Sequence, residues 1–346
     1  MTVREQAARL MDLVFGFIPA QVVHTMAVLD VADRLAEAPA TPPELAKILD
    51  CHEPSLRRLL RGAVHFGLVH VDDEDRYALT SSGELLRADV PYSVKHLARE
   101  MGSEPTWSAC GSLGHTIRTG QPAVEHVFGT SSYAWMTENP DAEASLYHWV
   151  IETARRDAPA VVAALDLAGV RDVVDVGGGN GILTAGLLTA NPGLTSTVFD
   201  RAAGLEHTAA MLADAGVADR CALVTGDFLA DPLPAGRDVY VLKGVLSDWV
   251  DEHSVEILRN CRTAMRDDSR LLVVDLVMPV DTASDPLALM SDLCTLACGG
   301  AIRTEAEFAG LFAAAGLKLT GISGNQAQTG ASILHVVKDR ESGEDI

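Results

Sequence analysis

The chain has 346 residues, of which 48% are hydrophobic and 22% charged, a composition typical of folded globular domains. Its formal net charge of −21, from 27 Lys and Arg against 48 Asp and Glu, argues against nucleic acid and anionic membrane surfaces as partners. The six cysteines show no zinc-binding spacing, and no leader or bilayer-spanning apolar stretch is predicted, so we expect a cytoplasmic protein with reduced thiols and no metal.

The first 100 residues predict a mainly helical domain. Apolar helical stripes interrupted at Pro19 come first, and then residues 41–44 (Thr-Pro-Pro-Glu) mark a helix start, with a capping Thr and an early Pro. A second amphipathic helix, near 56–64, is followed by an expected hairpin at 68–71 and 77–79. Helix, turn, helix and hairpin predict a winged helix. Three arginines on the second helix could contact DNA, but the acidity of the chain favours a solvated face for Arg57, Arg58 and Arg61.

The rest of the chain divides into a helical segment at 101–165, rich in aromatic residues, and an alternation of strands and helices at 166–346. That alternation predicts a parallel sheet wrapped by helices, with a ligand beyond the carboxyl ends of the strands. The predicted strands are 172–176, 195–199, 221–225, 238–242 and 270–276, followed by a terminal pair at 317–323 and 332–338. We therefore expect three domains, 1–100, 101–165 and 166–346.

A glycine-rich loop follows the first of these strands. Residues 173–181 read Val-Val-Asp-Val-Gly-Gly-Gly-Asn-Gly, and the next strand ends in Asp200, which can accept hydrogen bonds from both hydroxyls of a ribose. The dinucleotide fingerprint G-x-G-x-x-G needs glycine where Ile182 stands. The pattern predicts a nucleoside ligand without a pyrophosphate, although such a loop alone can also be only a turn.

These segments together resemble the S-adenosylmethionine-dependent O-methyltransferases of the plant caffeate type and their bacterial relatives in antibiotic biosynthesis. Besides 41–46 and 175–181, the resemblance rests on Gly226-Asp227-Phe228, on Asp248-Trp249, and on Gly299-Gly300 followed by Arg303-Thr304. It implies an α/β protein in which a doubly wound Rossmann-like sheet follows a winged-helix dimerisation domain. It also implies S-adenosylmethionine as cofactor, a homodimer, and a small aromatic or polyketide-type acceptor.

The resemblance assigns residues to both ligands. Segment 101–165 would help to line the acceptor pocket, and the run 289–293 lies on a helix that faces the acceptor in relatives. The substrate candidates are Met101, Trp107, Met290 and Leu293, although core packing explains Met101, Trp107 and Met290 equally well when each is taken alone. The cofactor candidates are Gly177, Gly179, Asp200, Arg201, Asp227, Phe228, Leu242 and Lys243.

The departures from the family pattern concern proton transfer. Members carry a histidine before Asp-Trp as general base, and here that position is Ser247; the glutamate usual before Arg-Thr is Ile302, whereas Asp275 keeps an acid. A serine hydroxyl cannot replace imidazole as a base and at best positions the acceptor by a hydrogen bond. A substitute base is sought in a histidine of the middle segment. The catalytic candidates are Ser247, Asp248, Asp275 and His148.

Three functions remain open at this point. The first is methyl transfer without a dedicated base, which suits an acidic acceptor. The second keeps the cofactor but catalyses hydroxylation, decarboxylation, dehydration or pericyclic ring formation, with the sulfonium as a fixed positive charge. The third, a DNA-binding regulator, is disfavoured by the intact glycine loop and by the acidity of the chain.

Overall fold

The computed structural model describes residues 1–281, 284–324 and 331–340, with the backbone alone at 133, 136–137 and 140–145. They form two compact units. The amino-terminal unit comprises Met1–Ser108 and Ser132–Glu152, and the carboxyl-terminal unit comprises Ala109–Ser131 and Thr153–Ile346. The middle segment 101–165 therefore contributes to both units, and its treatment as a separate domain stays a prediction.

Helices and strands are numbered in chain order. The helices are α1 (Val3–Val14), α2 (Phe17–Val28), α3 (Val31–Glu37), α4 (Pro42–Ile48), α5 (Glu53–His65), α6 (Ser81–Glu84), α7 (Lys95–Met101), α8 (Glu104–Gly111), α9 (Leu113–Thr119), α10 (Ala123–Phe128), α11 (Ser132–Glu138), α12 (Pro140–Ala164), α13 (Ile182–Ala190), α14 (Thr208–Asp214), α15 (Asp251–Ala264), α16 (Pro286–Cys298) and α17 (Glu305–Ala314). The strands are β1 (Val69–Val71), β2 (Tyr77–Leu79), β3 (Asp172–Val176), β4 (Thr195–Asp200), β5 (Cys221–Thr225), β6 (Val239–Lys243), β7 (Arg270–Asp275), β8 (Val277–Met278), β9 (Arg303–Thr304), β10 (Leu317–Ser323) and β11 (Ser332–Lys338).

The amino-terminal unit contains the winged helix that the sequence predicts. Thr41 and Glu44 form a capping box at the start of α4, α5 follows, and β1 pairs antiparallel with β2. Their apolar faces meet in a common core. On the outer side of α5, Arg57 binds Glu53 at 2.9 Å and Asp75 at 2.7 Å, so its charge is matched by carboxylates. This pairing agrees with the solvated face that the sequence favours.

A charge cluster around the buried Lys95 joins α7 to the start of α3. The Lys95 ammonium lies 2.6 Å from both Asp30 and Asp33, and its side chain is 7% exposed. Asp33 also accepts a hydrogen bond from the Ala88 amide at 3.0 Å. Burial alone would raise the pKa of Asp33, but the Ala88 amide and Lys95 lower it overall. The cluster therefore stabilises the unit in its ionised form.

The first two helices carry an exposed apolar face, which differs from the sequence-based expectation. Within the described residues, the run Val3–Val28 is long and apolar enough, by length and composition, to cross a bilayer, and it is mostly unburied. The sequence suggested a break at Pro19, but that residue lies in the first turn of α2, where its missing N–H costs no helical hydrogen bond. The exposed apolar residues of the run include Leu10, Leu13, Phe15 and Phe17.

Seven strands of the carboxyl-terminal unit form one sheet in the order β10-β11-β7-β6-β3-β4-β5. Each strand that the sequence predicts is present within one residue of its expected bounds. The five strands from β7 to β5 are parallel, as expected, whereas β11 runs antiparallel to both β7 and β10. The sheet is therefore mixed, because a short connection returns the chain from β10 directly into β11. Helices cover both faces, which explains the almost fully apolar interiors of β3, β6 and β7.

The connectivity of this sheet fixes where a ligand can bind. From β3 the chain adds β4 and β5 on one side, and then crosses to add β6 and β7 on the other. In sheets of this kind a ligand binds where the strand order reverses, which here is beyond the carboxyl ends of β3 and β6. The glycine loop follows β3 and the Ser247 turn follows β6, so both lie at this edge.

Candidate cofactor and acceptor site

The loop after β3 needs its glycines for conformation and for space. Gly177, Gly179 and Gly181 have φ values of +70°, +49° and +73°. Residues that carry a side chain are strained in this left-handed region. A Cβ on Gly177 would lie 2.9 Å from Val245 Cγ2 and 3.5 Å from the Phe228 ring. The loop thus brings the backbone at Gly177 close to Phe228, as expected for residues that share a ligand.

Asp200 is fixed at the tip of β4 and points at this loop. Its Oδ2 accepts a hydrogen bond from the Gly179 amide at 2.8 Å, and its Oδ1 accepts one from the Arg201 amide at 2.7 Å. A Cβ on Gly204 would lie 2.6 Å from Oδ1, so the carboxylate is closely surrounded. Burial raises the pKa of Asp200, while the two amides oppose that rise. Each oxygen has a second lone pair that can accept from a diol.

A second carboxylate lies beneath the loop. Asp175, at 1% exposure, accepts a hydrogen bond from the Thr184 hydroxyl at 2.7 Å. Burial raises the pKa of Asp175 to about 6, the Asp200 charge adds to the rise, and Thr184 and Lys243 oppose it. A Cβ on Gly178 would lie 2.6 Å from Asp175 Cγ, which explains the middle glycine of the run 177–179.

The segment after β5 presents an aromatic wall. The Phe228 ring meets Trp249 edge to face, with centroids 5.9 Å apart at 87°, and the Phe228 carbonyl accepts from Asn260 Nδ2 at 2.8 Å. Asp227 Oδ1 accepts from the Leu229 amide at 2.9 Å, which fixes that side chain. Of the remaining cofactor candidates, Leu242 is buried in the core, Lys243 ends β6 and Arg201 is exposed.

The structure brings two of the catalytic candidates together. Ser247 lies in a short 3-10 turn after β6, and its amide donates to Asp275 Oδ2 at 3.2 Å. Asp275 Oδ1 accepts from the Leu276 amide at 2.9 Å. Burial raises the pKa of Asp275 to about 6, against hydrogen bonds from Leu276 and Ser247. Asp248, the next residue of the turn, is exposed.

Arg303 holds the Ser247 turn in place, a role that the sequence did not suggest. This arginine is 3% exposed and forks between two carbonyls, Leu246 O at 2.8 Å and Trp249 O at 2.7 Å, while its Nε donates to Asp251 at 2.8 Å. The Ala301 amide adds a hydrogen bond to Ser247 O at 2.9 Å. The sequence signal was the segment Gly299-Gly300 followed by Arg303-Thr304, which carries part of the resemblance but does not indicate this role. A Cβ on Gly300 would lie 2.1 Å from Ser247 O.

Ile302 offers no proton chemistry. Its side chain is 7% exposed and packs with Met278 and Ala288, and its amide donates to Asp292 Oδ1 at 3.0 Å. The position that holds glutamate in relatives, according to the sequence resemblance, is thus part of an apolar cluster here.

Two substrate candidates line one cavity of the amino-terminal unit. Met101 and Trp107 face a cavity of about 300 Å³ together with Pro19, Ala20 and Val23. The walls are largely apolar, as in small-molecule pockets. His148 belongs to the same unit, is exposed, and stacks on His96 with ring centroids 5.0 Å apart. Its part in catalysis stays a prediction.

The other two substrate candidates lie on α16 in the carboxyl-terminal unit. Met290 is 62% exposed and Leu293 is 42% exposed. Two large apolar side chains on one exposed helix surface are consistent with contact to an apolar ligand. Their assignment to the acceptor also stays a prediction.

Two family models together match most of the chain. Residues 110–318 match the O-methyltransferase domain and residues 11–89 match the O-methyltransferase dimerisation domain. The chain belongs to the O-methyltransferase family. It is an S-adenosylmethionine-dependent methyltransferase, as the sequence resemblance implied.

Individual relatives agree with this assignment. The chain is 36% identical over 319 residues to O-demethylpuromycin-O-methyltransferase of Streptomyces alboniger, covering 91% of this chain and 84% of the relative. The solved structure of the mitomycin 7-O-methyltransferase MmcR superposes with a TM-score of 0.89 at 34% identity, covering 97% and 100% of the two chains. NcsB1, an O-methyltransferase of neocarzinostatin biosynthesis solved with S-adenosylmethionine and 2-hydroxy-5-methyl naphthoic acid, superposes at 0.81 with 34% identity, covering 92% and 95%.

The residues at the sheet edge fit this cofactor. The left-handed backbone at Gly177 and Gly179 leaves room for a ligand where a side chain would intrude. The Asp200 carboxylate is anchored to the loop and suits a ribose diol, and Phe228 supplies a ring face beside Gly177 for a purine. No pyrophosphate is needed to explain this set of groups.

Proposed function

We propose that this methyltransferase transfers a methyl group from S-adenosylmethionine to an oxygen of a flat, apolar, aromatic or polyketide-type molecule in secondary metabolism. The observation that best supports the proposal is the hydrogen bond from the Gly179 amide to the Asp200 carboxylate at the tips of the parallel strands. The named relatives act on puromycin-type and mitomycin-type compounds. The apolar cavity beside Met101 and Trp107 supports an acceptor of similar polarity.

The residues of the chain bind and orient the cofactor in this proposal. Asp200 accepts hydrogen bonds from the ribose hydroxyls, Phe228 packs on the adenine, and Asp227 lies beside it. Lys243 or its backbone helps to close the site at the end of β6, where Leu242 has its side chain in the core and offers only its backbone. When bound, S-adenosylmethionine supplies an electrophilic methyl group next to a fixed positive charge.

We infer that Ser247 occupies the place of the usual histidine and positions the acceptor instead of deprotonating it. A phenol with a pKa of ~10 is ionised in only about one molecule in a thousand at neutral pH, and a positioned base typically recovers ~10²–10⁴-fold. Alignment of the two reacting atoms can contribute as much. The acceptor oxygen therefore belongs to a carboxylate or to an acidified phenol, which is already ionised at neutral pH.

The buried Ile302 favours a second candidate function, in which no methyl group is transferred. With neither an imidazole at 247 nor a carboxylate at 302, the site lacks two groups that serve methylation in relatives, according to the resemblance. An enzyme that keeps S-adenosylmethionine as an electrostatic element needs neither group. Hydroxylation, decarboxylation, dehydration or pericyclic ring formation are then the alternative reactions.

One experiment separates the two functions. The purified protein is incubated with methyl-labelled S-adenosylmethionine and a series of hydroxynaphthoic acids, and both products are followed by mass spectrometry. Methyl transfer predicts labelled product and S-adenosylhomocysteine in equal amounts. Product formed without consumption of the cofactor would establish the second candidate and exclude the first.

We also infer a cytoplasmic homodimer. The dimerisation domain covers residues 11–89, and the apolar face of α1 and α2 is exposed in a single chain. Burial of such a face against a second copy removes apolar area from water. The cytoplasmic location rests on the reduced thiols that the sequence leads us to expect, since the six cysteines show no pairing pattern in it.

A further inference from the structure

Two cysteines that are distant in sequence lie side by side in the carboxyl-terminal unit. Cys110, near the end of α8, and Cys294, on α16, have their sulfur atoms 3.7 Å apart although 184 positions separate them. Cys110 is exposed and Cys294 is partly buried. Neither the methylation chemistry nor the cofactor site uses these thiols.

The packing around the pair holds the two backbones together. Ala109 and Ala297, each fully buried, belong to one apolar cluster with Ala123 and Val124. Ala109 precedes Cys110 directly, and Ala297 lies one turn beyond Cys294 on α16. The approach of the sulfurs therefore results from helix packing. A disulfide needs an S–S separation of ~2.05 Å, so the sulfurs must move closer by only ~1.7 Å.

We propose that Cys110 and Cys294 form a reversible modification site, at which hydrogen peroxide converts the two thiols into a disulfide. The exposed Cys110 sulfur attacks one peroxide oxygen, giving a sulfenic acid and releasing water. The Cys294 sulfur then attacks the Cys110 sulfur, the S–S bond forms, and a second water leaves. The two thiols lose two electrons and two protons, and the peroxide is reduced to two waters.

The local chemistry makes this reaction slow at neutral pH. The hydrogen bond with Cys294 and partial burial both raise the pKa of Cys110, so the reactive thiolate is scarce. Oxidation should accelerate as the pH rises, because the thiolate fraction grows. A dithiol reductant restores both thiols by exchange.

The cross-link would act on the helix that carries two acceptor candidates. Met290 and Leu293 lie on α16, and Leu293 directly precedes Cys294. A disulfide at 294 fixes this part of the helix to the end of α8. An effect on acceptor turnover rests on the proposed function, whereas formation of the cross-link does not.

The test uses the full-length protein treated with hydrogen peroxide, trapped with N-ethylmaleimide and digested without reduction. We expect one cross-linked peptide pair containing Cys110 and Cys294, lighter than the two separate peptides by two hydrogen atoms. Cys298→Ser and Cys51→Ser should still form it, whereas Cys110→Ser and Cys294→Ser should not. The apparent melting temperature of oxidised wild type should rise relative to the reduced form.

Three results would overturn the proposal. They are full alkylation of both thiols after oxidation, a pair that joins Cys294 to Cys298, and oxidation of Cys110 that stops at the sulfinic acid. If the reduced protein, which has no cross-link, does not transfer a methyl group, the proposed function is contradicted. That result does not bear on the proposal for Cys110 and Cys294.

Discussion

The hydroxyl of Ser247 occupies a confined position beside a buried carboxylate. The Ser247 amide binds Asp275, its carbonyl binds the Ala301 amide, and the residue is 9% exposed. These backbone contacts fix the turn whatever side chain stands at 247. The Ser247 hydroxyl also hydrogen-bonds the Asp275 carboxylate, so toward an acceptor it contributes one further hydrogen bond at most.

Replacing Ser247 by alanine should thus have a small effect on turnover. A neutral hydrogen bond contributes about 0.5–1.5 kcal/mol, so we expect Ser247→Ala to lower kcat/KM by roughly tenfold or less. Initial rates of S-adenosylhomocysteine formation measure this, with the exposed Ser82→Ala as control. A thousand-fold loss would mean that the hydroxyl takes part in proton transfer.

Asp275 links the site to the pH dependence of stability. Its pKa is raised from an ordinary value of 3.8 to about 6, so the folded protein binds this proton more tightly than the unfolded chain. The stabilisation that this proton gives is fully present below the pKa of Asp275 in the unfolded chain. It is lost as the pH rises through the pKa of Asp275 in the folded protein. At neutral pH the ionised carboxylate is retained at a cost in stability.

The variant Asp275→Asn isolates this effect. Its free energy of unfolding relative to wild type should shift in favour of the variant by about 2–3 kcal/mol as the pH rises from about 4 to about 7. Urea unfolding at both pH values provides the measurement. A constant difference between the two proteins across this range would contradict the raised pKa.

At the scale of elements, Arg303 connects β9 to the turn after β6. Its guanidinium satisfies two carbonyls and one carboxylate while almost fully buried. Removal leaves the Leu246 and Trp249 carbonyls without this partner, whereas the Asp251 side chain is 70% exposed and can be solvated. We expect Arg303→Met to lose about 1–3 kcal/mol of stability and Arg303→Lys less, because lysine keeps the charge but only part of the hydrogen bonding.

Urea unfolding of these variants is compared with that of Arg259→Met, which removes an exposed arginine bonded to the Ala314 carbonyl. The control should change stability by under about 1 kcal/mol. If Arg303→Met and the control lose the same free energy of unfolding, Arg303 does not hold the turn after β6 in place.

The sequence predicted most elements because their signals are local. The strand bounds follow from short β-branched runs, and the capping box at Thr41 marked α4. The glycine loop and Asp200 were identified by spacing alone, and their contact follows from adjacent parallel strands. The mixed direction of β11 was not predicted, because hydrophobic periodicity does not encode strand orientation.

Other features could not be predicted from the sequence because they depend on tertiary packing. Nothing in the residues around Arg303 indicates that it is buried, since arginines are mostly exposed. The surroundings of Ile302 are equally non-local, because Met278 and Ala288 come from other elements. A glutamate placed there would lie among apolar side chains, where burial disfavours its charged form.

At the scale of the whole molecule, the apolar face of α1 and α2 requires a partner. Leu13 is 74% exposed and Phe17 is 51% exposed. We expect a dimer in sedimentation velocity, and a shift to monomer in Leu13→Asp and Phe17→Asp, because a charge would be buried in the interface. Val280→Asp, an exposed apolar position in the other unit, is the control and should remain dimeric.

The sedimentation of wild type decides what covers this face. If wild type sediments as a monomer at micromolar concentration while binding the cofactor, the exposed face serves another contact. The strongly negative charge of the chain then makes an anionic membrane surface an unfavourable alternative.

Binding of an adenosyl sulfonium at the strand tips through Asp200 is the central proposal, and a calorimetric titration of S-adenosylmethionine tests it most directly. We expect saturable binding to wild type, and a Kd at least about tenfold higher for Asp200→Ala, since hydrogen bonds to a charged group contribute about 1.5–3 kcal/mol. The exposed Asp214→Asn should bind like wild type. Equal affinity of wild type and Asp200→Ala, with both folded, would contradict the account.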